Sequence, residues 1–142
     1  HYLQALNCYK YRKTIYKRFK VLKNMATYED FTIDQGSDFA LQIELVDPDE
    51  STKDLTGYSV AAKMKKTFKS TADNTVDFAA IVSEPSTSGV VTISLTNIQT
   101  DLLSARGRYV YDVEISYVDG EGNTIIERVL EGKIKVNPSV TR

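Results

Sequence analysis

The chain has no tryptophan, one cysteine and one histidine among its 142 residues. Cys8 alone cannot form an intramolecular disulfide or a multi-cysteine metal site. His1, the single imidazole, sits at the first position, so the interior lacks the commonest general base and the usual metal ligand. No run approaches the roughly 18 apolar residues of a membrane-spanning helix, and no membrane partner is expected. Glycine and proline are sparse, at seven and three residues, while 42% of the chain is hydrophobic. That composition suits a folded globular domain and excludes a disordered one.

Acid is absent from one stretch. Residues 1–24 hold Lys10, Arg12, Lys13, Lys17, Arg18, Lys20 and Lys23 and no Asp or Glu. Those seven are taken from 18 basic residues, while all 19 acids lie further on, so residues 25–142 carry a formal −8. The spacing of Tyr9, Arg12, Ile15, Tyr16, Phe19 and Leu22 predicts a short basic amphipathic helix over Cys8–Lys23. Basic residues interleaved with rings also fit a nucleic-acid arm. Met25-Ala26-Thr27-Tyr28 reads as a natural start, however, so residues 1–24 are expected to be translated from upstream of the true start or to be an incidental extension. The same stretch lacks the uninterrupted apolar segment of a signal peptide.

From Met25 onward the dominant period is two, and turn signals recur along the chain. Phe31 and Ile33 open a first strand, and Phe39, Leu41, Ile43 and Leu45 mark a second. Tyr58, Val60, Ala62 and Met64 mark a third, Val76, Phe78, Ala80 and Val82 a fourth, and Val91, Ile93 and Leu95 a fifth. Thr96 to Leu103 loses the alternation and reads as a short helix capped by Thr96 or Asn97, with Ile98, Leu102 and Leu103 inward. Tyr109, Tyr111, Val113, Ile115 and Tyr117 form a sixth strand. Asp119 to Asn123 is a hairpin turn, and Thr124 to Val136 is the last strand. Its pattern slips between Val129 and Leu130, which predicts a β-bulge near Glu131-Gly132.

About seven strands and one short helical crossover, with no βαβ alternation, predict an all-β fold. The expected architecture is an immunoglobulin-like antiparallel β-sandwich over residues 25–142. Tyr109 and Tyr111 match a structural tyrosine corner, or are core aromatics of any β barrel.

Chemistry-bearing motifs are few. No Gly-x-Ser-x-Gly and no phosphate-cradling glycine loop occurs, so no catalytic residue, cofactor site or metal site is expected, and the protein is expected not to be an enzyme. Asp47-Pro48-Asp49-Glu50 and Asp119-Gly120-Glu121 could offer oxygens to Ca²⁺, or be structural turns. Lys63, Lys65, Lys66 and Lys69 form a candidate interaction edge, unless they are a solvated face.

Four segments carry a family resemblance: Phe31-Thr-Ile-Asp-Gln-Gly36, Asp54-Leu-Thr-Gly-Tyr58, Gly107-Arg-Tyr-Val-Tyr-Asp112 and Glu131-Gly-Lys-Ile-Lys-Val-Asn-Pro-Ser-Val-Thr-Arg142. With them, residues 25–142 resemble small virion structural proteins of tailed bacteriophages. They are also similar to the amino-terminal immunoglobulin-like domain of phage baseplate upper proteins. The resemblance implies a β-sandwich that docks in many copies on tail, baseplate or head proteins, located in the virion and assembled in the host cytoplasm. It implies no catalytic motif. A single-domain decoration or adaptor protein fits the length. The rival expectations are a cell-surface or carbohydrate-binding sandwich, and a nucleic-acid binder using the basic arm. The −8 body disfavours nucleic acid as a partner.

Overall fold

The computed structural model describes residues 3–4, 18–22, 27–47, 51–67 and 75–140. They form a β-sandwich of two sheets. One sheet orders β1 (Leu3–Gln4), β2 (Arg18–Leu22), β5 (Phe39–Val46), β9 (Val90–Leu95) and β8 (Ala79–Val82). The other orders β3 (Thr27–Tyr28), β11 (Thr124–Asn137), β10 (Arg108–Val118), β6 (Ser59–Lys65) and β7 (Thr75–Asp77), with β4 (Phe31–Asp34) also on β11. The helix α1 (Asn97–Asp101) carries the chain from β9 to β10.

Period-two alternation turns one face of each strand into the core. Leu41, Ile43 and Leu45 of β5 meet Val91, Ile93 and Leu95 of β9 from one sheet. Met64, Val113, Ile115, Leu130 and Ile134 face them from the other, all at most 1% exposed. Each such fully buried side chain is worth roughly 1.5–3 kcal/mol. Phe31, Phe39, Phe78 and Tyr111 form an aromatic cluster, with Phe31 stacked on Phe39 at 5.3 Å and edge-on to Tyr111 at 4.8 Å.

Four features differ from expectation. The pairing is mixed rather than antiparallel: β2 runs parallel to β5, and β3 and β4 run parallel to β11. Parallel neighbours need a long connection: the segment carrying β3 and β4 lies between β2 and β5, and most of the sandwich lies between β4 and β11. Second, Arg18–Leu22 is a strand where helical spacing had suggested a helix, because β5 offers that segment a ladder. The rest of the proposed helix lies outside the described residues. Third, the expected fourth strand is two strands in different sheets. The chain changes sheet at Phe78, whose buried ring fills the corner.

Last, the bulge falls at Val129. Val113 faces Leu130 while Glu114 faces Arg128, so Val129 is the extra residue, and Val129 and Leu130 are both buried. Gly132 has a separate role. A Cβ there would lie 1.9 Å from the Glu29 carbonyl oxygen, so only glycine lets the segment between β3 and β4 close on β11. That segment is fixed by Glu29 N–H donating to Glu131 O at 2.8 Å and Lys133 N–H donating to Asp30 Oδ1 at 2.8 Å.

Candidate functional site

The sandwich has two ends. β10 runs from Arg108 at the crossover end to Val118 at the hairpin end, and β6 pairs with it from Lys65 opposite Val110 to Ser59 opposite Ser116.

At the crossover end, Thr96 makes a capping box with Gln99: the Gln99 N–H donates to Thr96 Oγ1 at 3.2 Å, and the Thr96 N–H to Gln99 Oε1 at 2.9 Å. Thr100 is fully buried. Its hydroxyl accepts from the Gly36 N–H at 3.0 Å and donates to the Ser37 carbonyl at 2.8 Å. Asp38 accepts from the Asn97 N–H at 2.7 Å, and Gln35 Nε2 donates to the Leu103 carbonyl at 2.8 Å. Anchoring through Thr100 and Leu103 rotates the neighbouring positions outward. Leu103 is buried as expected, but Ile98 and Leu102, expected inward, are 72% and 83% exposed. Thr100 stands between Gln99 and Asp101, and nothing local marks it as the inward position.

Beside this crossover is an open groove of about 550 Å³ whose lining includes Val76, Leu102, Leu103 and Tyr109, with Lys66 and Asp77 among its charged groups. Tyr109 is buried, and its hydroxyl accepts from the Ser104 N–H at 2.9 Å, five residues upstream. Tyr111, buried on the same face, reaches instead across the sheet and donates to the Glu29 carbonyl at 2.6 Å. Burial raises the Tyr111 pKa far above the ordinary phenol value, and the negative charges of Glu29 and Asp30 add to the effect. It remains a neutral donor.

The lysines do not form a free edge. β6 lies between β10 and β7, which covers it from Lys63 to Lys65. Lys63 Nζ lies 3.4 Å from Asp77 Oδ1, and Lys65 stands in register with Thr75. Lys66 donates to the Arg106 carbonyl and lies 4.4 Å over the Tyr109 ring. Lys69 lies outside the described residues. The outer face beside Lys63 alternates in sign: Arg128 pairs with Asp112 and Glu131, both at 3.4 Å. Exposed pairs of this kind contribute at most about 1 kcal/mol each.

At the hairpin end, Asp119 Oδ1 accepts from the Glu121 and Asn123 N–H groups, both at 2.9 Å. Those backbone bonds lower its pKa below the ordinary carboxylate value. The carboxylate is thus committed to its own turn. Of the other acidic loop, residues 48–50 lie outside the described residues. Among the described residues no group of three or more His, Cys, Asp or Glu side chains converges. No described helix is long and apolar enough to cross a membrane.

No family pattern and no curated protein matches the sequence. Solved structures do. The N-terminal domain of phage TP901-1 ORF48 superposes with a TM-score of 0.55 at 13% identity, over 87% of this chain and 98% of that domain. Murine CRIg matches at 0.45 and 14% identity, over 77% of this chain and 92% of its own. AggA, the major subunit of aggregative adherence fimbriae type I from Escherichia coli, matches at 0.36 and 8% identity, over 76% and 89%. At these identities, the phage domain shares the fold with this chain.

Proposed function

We propose that this chain is a non-enzymatic structural protein of a tailed-phage virion, acting in several copies through protein–protein contacts. Its place is the tail, the baseplate or a head decoration, reached by assembly in the host cytoplasm. The observation that carries this reading is the likeness to the phage domain along almost the full length of both chains. The resemblance of the Asp54–Tyr58 and Gly107–Asp112 segments to phage sandwich proteins points the same way. The arrangement of side chains suits such a role: the buried tyrosines hold backbone, and the acidic turn holds itself. No cofactor is required.

Mass spectrometry of density-purified particles from the phage or prophage encoding this chain tests the proposal. Peptides from β10 and β11 are expected in stoichiometric amounts with the other structural proteins. Particles complete in those proteins but lacking this one would refute it.

A further inference from the structure

Soluble proteins usually blunt the open edge of a sheet with charge, proline or shortness, because its unpaired backbone groups accept another strand. Among the described edge strands, β1 and β3 have two residues each, and β4 and β7 carry Asp34 and Asp77. β8 ends the five-stranded sheet with neither charge nor proline: Ala79-Ala80-Ile81-Val82.

The register of β8 fixes which of its backbone groups are free. The Ser83 N–H donates to the Val90 carbonyl at 2.8 Å, and Val82, Ile81 and Ala79 stand opposite Val91, Thr92 and Ser94. Hydrogen-bonded and non-bonded pairs alternate along an antiparallel ladder. Ala79, Ile81 and Ser83 therefore bond to β9, while Ala80 and Val82 turn their N–H and C=O groups away from it. The next ladder agrees: the Leu45 N–H donates to the Gly89 carbonyl at 2.7 Å, which assigns Val91, Ile93 and Leu95 to β5 and leaves Val90, Thr92 and Ser94 to β8. No described residue bonds the outward groups of Ala80 and Val82. The side chains of those two pack on the core, so Ile81 stands on the outer face, 62% exposed.

We propose that β8 pairs antiparallel with β8 of a second copy, across a two-fold axis at Ile81. Ala80 of each chain then faces Val82 of the other, and every outward donor of one strand meets an outward acceptor of its mate. Ile81 faces its own counterpart in a non-bonded pair, where Cα atoms approach to about 4.5 Å. Ala79 faces Ser83 and Glu84 faces Phe78, so no charge opposes a like charge. The neighbouring registers fail. An axis at Ala80 sets Val82 against Phe78, whose N–H already donates to the Ala62 carbonyl, and an axis at Val82 sets Ala80 against Glu84, beyond the end of the strand. Free backbone groups require a strand, and this strand satisfies itself; that is what names a second copy as the occupant. The contact is isologous, so it closes at a dimer. One strand from each side lies at the small end of interface sizes, below about 1,200 Å² in total, and the dimer is therefore weak. The pairing goes beyond the virion reading and survives its failure.

Sedimentation velocity on the full chain over a concentration series should show monomer passing to dimer and nothing larger. Ile81→Lys sets like charges face to face at the axis, and it should stay monomeric with an unchanged melting temperature, the position being exposed. Cross-linking in a Cys8→Ser background reads the register independently. Oxidised glutathione should convert Ile81→Cys to a disulfide-linked dimer, since its two Cα atoms fall within the span of about 4.4–6.8 Å that a disulfide bridges. Ala79→Cys should not cross-link, because this register places its two copies roughly 13 Å apart along the ladder. A wild type monomeric at every concentration overturns the proposal and leaves the edge to a strand of another protein. So does an Ile81→Lys variant that still dimerises, or Ala79→Cys cross-linking as readily as Ile81→Cys.

Discussion

The two ends of this sandwich are held by different means. At the crossover end, α1 is tied to the β4–β5 turn by side chains distant in sequence: Thr100 to Gly36 and Ser37, Asn97 to Asp38, Gln35 to Leu103. At the hairpin end, Asp119 bonds within its own turn, to groups two to four residues along. The first end is therefore coupled to the core and the second is self-contained. Damage to the first should unfold the domain, and damage to the second should stay local.

Gly132→Ala sets the upper limit for that comparison, since it lies between the ends and affects both through β11. The added methyl would meet the Glu29 carbonyl, and chemical denaturation should show a loss of about 3 kcal/mol or more. Thr100→Val tests the crossover end. It keeps the shape and removes the hydroxyl that bonds the Gly36 N–H and the Ser37 carbonyl, and about 2 kcal/mol of global stability should be lost. A neutral result would mean that the end is not coupled to the core.

Tyr111→Phe should cost about 1 kcal/mol near neutral pH, by loss of the bond to Glu29. Its pH dependence is more specific. The folded pKa is raised, so the contribution is intact below the unfolded value of about 10 and declines as pH rises above it. Melting curves from pH 8 to 11 should fall for the wild type and flatten in the variant. Asp119→Ala gives the smallest effect: unchanged global melting, with amide shifts confined to residues 119–123. The folded Asp119 pKa is lowered, so its contribution is present above about pH 4 and is lost as pH falls through the folded value. Amide shifts followed from pH 5 to 2 should place that midpoint below the usual aspartate value. Global unfolding of the Asp119→Ala variant would break the contrast.

The sequence showed the core strands because alternation follows directly from the pleat: the inward residues of β5, β9 and β10 were legible one by one. Segments whose position depends on a distant partner were not. Val129 and Leu130 signalled a bulge but not its position, which the Val113–Leu130 register decides. Ile98 and Leu102 were read as inward from hydrophobicity alone, yet Thr100 takes the inward side because the β4–β5 turn offers its hydroxyl two partners. The lysines of β6 looked like an edge because no local signal announces that Thr75–Asp77 returns beside them. The groove was invisible for the same reason, being made by β7, α1 with the segment after it, Lys66 and Tyr109 of β10 together.

The parallel pairing of β4 with β11 also has a consequence in time. Asp30 and Lys133, which bond across that edge, are 103 residues apart. On a ribosome adding about 5–20 residues per second, β4 waits on the order of 5–20 s for its partner to be made. Every strand of the five-stranded sheet is complete once Leu95 has emerged, whereas the other sheet lacks its two longest strands at that moment. The nascent chain thus presents one complete sheet with its inner face uncovered, and it depends on prompt synthesis of the last third to cover it.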